Sequence, residues 1–204
     1  MIEAPAGSPP ALDRSWFDRP ALDVAHDLLG RRLVHHGADG TVGGRIVEVE
    51  AYAGPEDLAA HSAGGRRTAR TEVMFGPPGH LYVYLVYGLH HCLNVVAGPG
   101  PKPEAVLIRS LIIDEGIDVA RARRGGRVAD VRLASGPGNV GAALGVDRRL
   151  SGADLLGGPV RLEPDRSVVG AVRAGPRIGV AYAGAWAAEP MRLWIEGDPH
   201  VSRR

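Results

Sequence analysis

Glu48, Glu50 and Tyr52 alternate along the chain with Val47, Val49 and Ala51. In an extended strand a period of two puts both carboxylates and the ring on one face and the apolar residues on the other. Two readings fit such a face. It is either the charged, solvent-turned side of an edge strand, or a carboxylate set beside a ring to take a proton from water. His61 follows in a glycine-rich stretch, and residues 81–87 contribute Tyr82, Tyr84 and Tyr87, three of the five tyrosines in a chain that is only 5% aromatic. Scarce rings gathered near a carboxylate suit a planar, electron-rich ligand held by stacking, and a nucleobase turned out of a duplex is such a ligand. Asn94 offers an amide for reading a base edge, and Arg109 a guanidinium to orient the carboxylate or the water. Taken singly, Asn94 also fits a turn, Arg109 a surface ion pair and Tyr82 a core filler.

These groups need elements to hold them. Asp18 and Pro20 open a short helix with an apolar stripe of Leu22, Ala25, Leu28 and Leu29, stopped at Gly30. Strands are predicted over residues 32–36, 44–52, 81–87, 91–96 and 105–111, and further on near 160–162, 177–181 and 191–195. Asp114 is the expected cap of a helix reaching Arg124, and a glycine-rich turn leads into a second short helix over 135–144. Residues 54–78, rich in Gly, Pro, Thr and Arg, read as a long functional loop. Residues 1–12 read as a disordered tail, which leaves 13–204 as one domain without repeat or linker.

A chain of 204 residues, 45% hydrophobic and 23% charged, has the apolar content for one sizeable core. Its longest apolar stretches, such as 81–89, fall short of the roughly 18 residues of a membrane helix, and the start lacks a secretory pattern, so a cytoplasmic location is expected. Cys92 is the only cysteine, which rules out an intramolecular disulfide and fits a reducing compartment. The formal net charge of +1 gives no argument for nucleic acid by itself. Arginines nevertheless gather at Arg66, Arg67 and Arg70, and at Arg121, Arg123, Arg124, Arg127 and Arg132, as solvated faces or as a phosphate-facing stripe. Gly136-x-Gly138-x-x-Gly141, with Glu163 further on, imitates a dinucleotide fingerprint. The charged segment before it and Pro137 within its turn argue against that use. His90-His91-Cys92 is a poor metal site, because neighbours on a strand point to opposite faces. No metal and no cofactor are expected.

The order of several motifs is more specific than any one of them. Arg45-Ile46-Val47-Glu48-Val49-Glu50-Ala51-Tyr52 is followed by Gly54-Pro55-Glu56-Asp57, Ala60-His61-Ser62, Met74-Phe75, Leu81-Tyr82-Val83-Tyr84, Tyr87-Gly88, Cys92 and Asn94. Leu107-Ile108-Arg109, Ser135-Gly136-Pro137, Arg177-Ile178-Gly179-Val180 and Gly184-Ala185-Trp186 complete the series. Over about residues 13–202 the chain resembles the alkyladenine (3-methyladenine) DNA glycosylase family. That resemblance implies an α+β fold, a single domain on a largely antiparallel curved β-sheet with surrounding helices. It implies double-stranded DNA containing damaged purines as partner, bound by a monomer associated with the nucleoid. Glu50 matches the general base that activates the hydrolytic water, held with the help of Arg109 and the backbone carbonyl of Ile178. The base would stack between Tyr52 on one side and His61 with Tyr84 on the other. Tyr87 matches the wedge that enters the minor groove, and Asn94 the residue that discriminates against the 2-amino group of guanine. Leu89, His90 and His91 depart from the relatives' pattern and leave the preferred lesion open among 3-methyladenine, 7-methylguanine, hypoxanthine and ethenoadenine. Lys102, the sole lysine, sits in a Gly- and Pro-rich turn, which favours a monofunctional enzyme using water over one using an amine. The competing reading is a catalytically inert lesion-binding protein, which would share every feature except the need for Glu50.

Overall fold

The computed structural model describes residues 12–167 and 170–203. Eight strands lie among them: β1 Arg31–Gly37, β2 Gly40–Tyr52, β3 Leu81–Val86, β4 His90–Ala97, β5 Glu104–Glu115, β6 Val160–Arg166, β7 Val172–Gly175 and β8 Arg192–Ile195. The helices are α1 Arg14–Phe17, α2 Ala21–Leu28, α3 Ile117–Arg123 and α4 Pro137–Leu144, with short 3-10 turns between. Every described ladder is antiparallel, in the order β3-β4-β5-β2-β1-β6, and β8 joins β2 to β7. The expected α+β class and largely antiparallel sheet are what the molecule has.

β2 is the strand on which the sheet turns. Along one side it pairs with β5; on the other its first half pairs with β1 and its second half, Glu48 to Glu50, with β8. The carboxylates therefore lie on a central strand, and both are fully buried. That removes the edge-strand reading of this face. The β2–β5 register slips between Ile46 and Glu48 and again between Glu48 and Val49. At the second slip Arg109 is the extra residue of β5, between Ile108 opposite Val49 and Ser110 opposite Glu48. Bulges of this kind bend a strand and re-aim a side chain.

Val49, Ala51, Leu93, Val95, Val106 and Ile108 form the core face of the sheet, packed against Ala21, Val24, Ala25 and Leu28 of α2 and Val140, Ala143 and Leu144 of α4. The opposite face carries smaller clusters around Tyr82 and Met74 and around Val180 and Ala183. Leu22, read from the sequence as part of the α2 stripe, is instead 40% exposed; the buried side runs through Ala21, Val24, Ala25 and Leu28. Asp114 does not cap α3. It stays in β5, where it pairs with Arg32 at 2.9 Å, and the helix starts after Gly116, whose φ of +68° makes a turn that side chains disfavour. Residues 177–181 are not a strand: Pro176 has no N–H for a ladder, and the Ile178 N–H is directed at a side chain. The short strand β7 was not anticipated. The tail expected at residues 1–12 falls, apart from Leu12, outside the described residues.

The glycines of the imitation fingerprint serve packing. A Cβ on Gly141 would stand 2.1 Å from the carbonyl oxygen of His91, and one on Gly138 2.9 Å from the His90 ring. α4 is thus pressed against β4, and a 3-10 turn at Asp130–Arg132, not a strand, precedes it. Gly141→Ala should lower the unfolding free energy by about 1–3 kcal/mol, as overpacking does. Urea denaturation measures this; an unchanged midpoint would show that β4 and α4 part without strain.

Candidate active site

The sheet face opposite the helices, covered by the segments after β2 and β7, holds a pocket of about 540 Å³. All eight positions to which the family resemblance gives a role line it: Glu50, Tyr52, His61, Tyr84, Tyr87, Asn94, Arg109 and Ile178. They come from β2, β3, β4, β5, the β3–β4 turn and two loops, so no short stretch of chain could have displayed the arrangement.

Glu50 is held by two hydrogen-bond donors and one cation. The Ile178 N–H donates to Oε1 at 2.7 Å, Arg109 Nη1 lies 3.2 Å from the same oxygen, and the Tyr52 hydroxyl donates to Oε2 at 3.0 Å. Ile178 thus meets Glu50 through its amide. Burial, and next the charge of Glu50, push the Tyr52 phenol well above its ordinary range, so it stays a donor. Burial would lower the Arg109 guanidinium, but the charges of Glu50 and Glu48 outweigh it and raise it.

The rings stand on the other wall. His61 and Tyr84 meet edge to face with centroids 4.6 Å apart, and Tyr82 lies behind at 5.3 Å from Tyr84. Arg70 lies over the Tyr84 ring at 4.8 Å and donates to His61 Nε2 at 2.8 Å. A guanidinium only donates, so Nε2 accepts, and the ring proton sits on Nδ1, which donates to the Tyr82 hydroxyl at 2.8 Å. Burial, then the charges of Arg70 and Arg66, lower the His61 pKa from 6.5 to about 4. Asn94 is buried opposite Tyr82 in the β3–β4 ladder and donates from Nδ2 to the Tyr82 carbonyl at 3.0 Å. At the tip of that hairpin Tyr87 is 89% exposed with a φ of +52°, beside Leu89 at 77% exposed.

Other contributors stand in recognisable motifs but receive no role from the sequence. Arg177 and Asp57, 120 residues apart, form a fully buried two-pronged ion pair; Arg177 Nη2 donates to Oδ1 at 2.9 Å. Asp57 also accepts the amides of Ala53 and Ala59, while Arg177 lies 4.7 Å over the Tyr52 ring and donates to the Ala51 carbonyl. This clamp joins the loop after Tyr52 to the loop carrying Ile178. The basic segments are less available than their composition suggests. Arg121 pairs with Asp118 and Asp130, Arg123 with Asp39, and Arg67 with Glu72. Lys102 is not at the pocket; it lies 2.9 Å from Glu104 and 3.6 Å from Glu56. Among the described residues no group of His, Cys, Asp and Glu is arranged to hold a metal ion.

Comparison with known proteins bears directly on this site. The family model described as methylpurine-DNA glycosylase matches residues 15–199. The chain belongs to the methylpurine-DNA glycosylase family. A Streptomyces avermitilis relative is 50% identical over 99% of this chain and 94% of its own length. A Methanocella arvoryzae relative is 45% identical over 96% and 97%, and one from Bacillus cereus 42% over 93% and 98%. All three are named, provisionally, as 3-methyladenine DNA glycosylases. In this member of the family the pocket residues all lie within the matched span.

The neutral His61 makes the site acid-sensitive. The unfolded chain takes up this proton near pH 6.5 and the folded chain near 4, so the stability due to neutral His61 is complete above 6.5 and is lost as pH falls toward 4. Melting temperatures should drop across that window in the wild type and less steeply in His61→Phe. Equal slopes would place the acid sensitivity elsewhere.

Proposed function

We propose that this glycosylase-family member excises damaged purines from duplex DNA by hydrolysis, with Glu50 as general base. The observation that carries the reading is a buried carboxylate, fixed by Arg109, Tyr52 and the Ile178 amide, in the wall of a pocket edged by rings. The pocket volume of about 540 Å³ falls in the range of roughly 300–1,000 Å³ usual for small-molecule sites.

A purine turned out of the helix would enter between Tyr52 and the pair His61 and Tyr84, where stacking tolerates a methylated or bridged ring. The bond from the purine to the sugar C1′ breaks with its electron pair leaving on the base, and water adds to C1′ while its proton passes to Glu50. Arg109 and the backbone at Ile178 orient the carboxylate and that water. Tyr87 fills the gap in the duplex. Its exposure and left-handed backbone, which costs on the order of 1–3 kcal/mol, suit a side chain held outward for a partner. Asn94 crowds the 2-amino group that guanine has and adenine or hypoxanthine lacks. Water is the nucleophile, because Lys102, the only lysine, is paired with acids away from the pocket; the enzyme is therefore monofunctional.

Incubation with hypoxanthine-containing duplex should release free base and leave an abasic strand that breaks only on added alkali. Glu50→Gln should slow release at least about a hundredfold while lesion binding persists. Binding without release by the wild type would identify an inert lesion-binding protein, and near-wild-type release by Glu50→Gln would remove Glu50 from the role of base.

A further inference from the structure

Behind the pocket four buried charges alternate in sign. Arg192 Nη1 donates to Glu48 Oε1 at 3.0 Å, Arg109 Nε donates to the same oxygen at 3.0 Å, and Arg109 Nη1 lies 3.2 Å from Glu50. The far end of the chain closes this row. The Ser202 N–H donates to Glu48 Oε2 at 2.6 Å, Arg109 Nη2 donates to Ser202 Oγ at 3.2 Å, and Arg192 donates to the Arg203 carbonyl at 3.0 Å. Ser110 Oγ adds a fourth donor to Glu48 at 3.2 Å. Glu48 does not line the pocket, and Ser202 lies beyond the span matched by the family model.

We propose that Glu48 and Ser202 are positioning residues that fix Arg109 against Glu50 and divide its positive charge between two carboxylates. The inference rests on Glu50 acting as the base. A guanidinium shared with Glu48 is held from two sides and gives less of its charge to Glu50 than one paired with Glu50 alone. Burial would raise the Glu48 carboxyl, but the charge of Arg109 and the Ser202 hydrogen bond hold it below its ordinary range, so it stays ionised as a partner. The other groups facing Glu50 are Tyr52 from β2, Tyr84 from β3 and Cys92 from β4, with Arg177 behind the Tyr52 ring and Arg192 one step back on β8. None of these adds a second negative charge to Arg109, which Glu48 does.

The test is the pH profile of single-turnover base release from hypoxanthine-containing duplex. Glu48→Gln keeps the shape and removes the charge. The acid limb should move to lower pH by about one unit, the scale of a nearby charge. The plateau rate should fall about tenfold or more, as when a reacting group is slightly misplaced. Affinity for lesion DNA should hold. Glu48→Asp, which restores the charge, should return the limb toward its wild-type position. Ser202→Ala, which changes no charge, should lower the plateau by about threefold, the share of one hydrogen bond, with the limb unmoved. A purely structural role would reduce the folded fraction without shifting the limb of what remains. Wild-type limb and rate in folded Glu48→Gln would overturn the inference. If that variant does not fold, an unchanged plateau in Ser202→Ala overturns it and a reduced one with intact affinity upholds it. Glu50→Gln in the same assay separates the two readings. Near-wild-type release there removes the base and this inference together, whereas a dead Glu50→Gln beside wild-type behaviour of the Glu48 and Ser202 variants removes only the positioning role.

Discussion

Two carboxylates two residues apart on one strand, both fully buried, are the constraint around which this molecule is arranged. An isolated buried carboxylate carries a desolvation penalty of several kcal/mol, so each needs cations and hydrogen-bond donors in fixed places. Glu48 draws Arg109, Arg192, Ser110 and the Ser202 amide; Glu50 draws Arg109, Tyr52 and the Ile178 amide. Meeting those demands explains features that hydrophobic packing does not call for. β5 bulges so that Arg109 reaches both acids, β8 pairs beside β2 and brings Arg192, and the chain end folds back over Glu48. The loop after Pro176 forgoes strand pairing and aims an amide at Glu50.

The opposite wall of the pocket follows the contrary principle. There the rings are kept neutral: burial raises the Tyr82 and Tyr84 phenols, and burial with the charges of Arg70 and Arg66 lowers His61. Neutral rings offer stacking surface without a charge that must be desolvated when a base arrives. Negative charge is thus confined to the Glu50 side, and the charge on the ring wall is the Arg70 guanidinium, over Tyr84 and bonded to His61. The Arg177–Asp57 clamp lies at the boundary, with its guanidinium over Tyr52 and its carboxylate turned to backbone amides of the same loop.

The sequence was most legible where periodicity is strict. The alternation through Glu48, Glu50 and Tyr52 gives the shared face correctly, and the strands at β3, β4 and β5 lie close to where their apolar runs put them. It was least legible where a side chain's partner is remote. Asp114 looks like a cap by its place before a helical pattern, yet Arg32, 82 residues away, holds it in the strand. Arg177 and Asp57 sit inside recognisable motifs that give no hint of their pairing, and Glu48 differs from Glu50 only by what β8 and the chain end bring to it. The apolar run at 177–181 resembles a strand because pattern does not reveal that one amide has another task. Family resemblance supplied the site residues that periodicity alone left ambiguous, Asn94 and Arg109 among them.

The placement of Tyr87 ties the outer surface to the pocket. It stands at the tip of the β3–β4 hairpin, whose ladder pairs Tyr84 with Cys92 and Tyr82 with Asn94, all four lining the cavity. The side chain proposed to insert into DNA and the Tyr84 ring proposed to receive a base are therefore parts of one hydrogen-bonded element, separated by a fixed length of strand. The turn is short, with the Leu89 N–H donating to the Val86 carbonyl at 3.0 Å, so little slack lies between Tyr87 and the ladder. β4 is braced in turn by α4, which Gly138 and Gly141 allow to approach to backbone contact. In the proposed reaction, depth of insertion and position of the receiving wall are then set together, and the strained backbone at Tyr87 is tolerated because the hairpin around it is held on both sides.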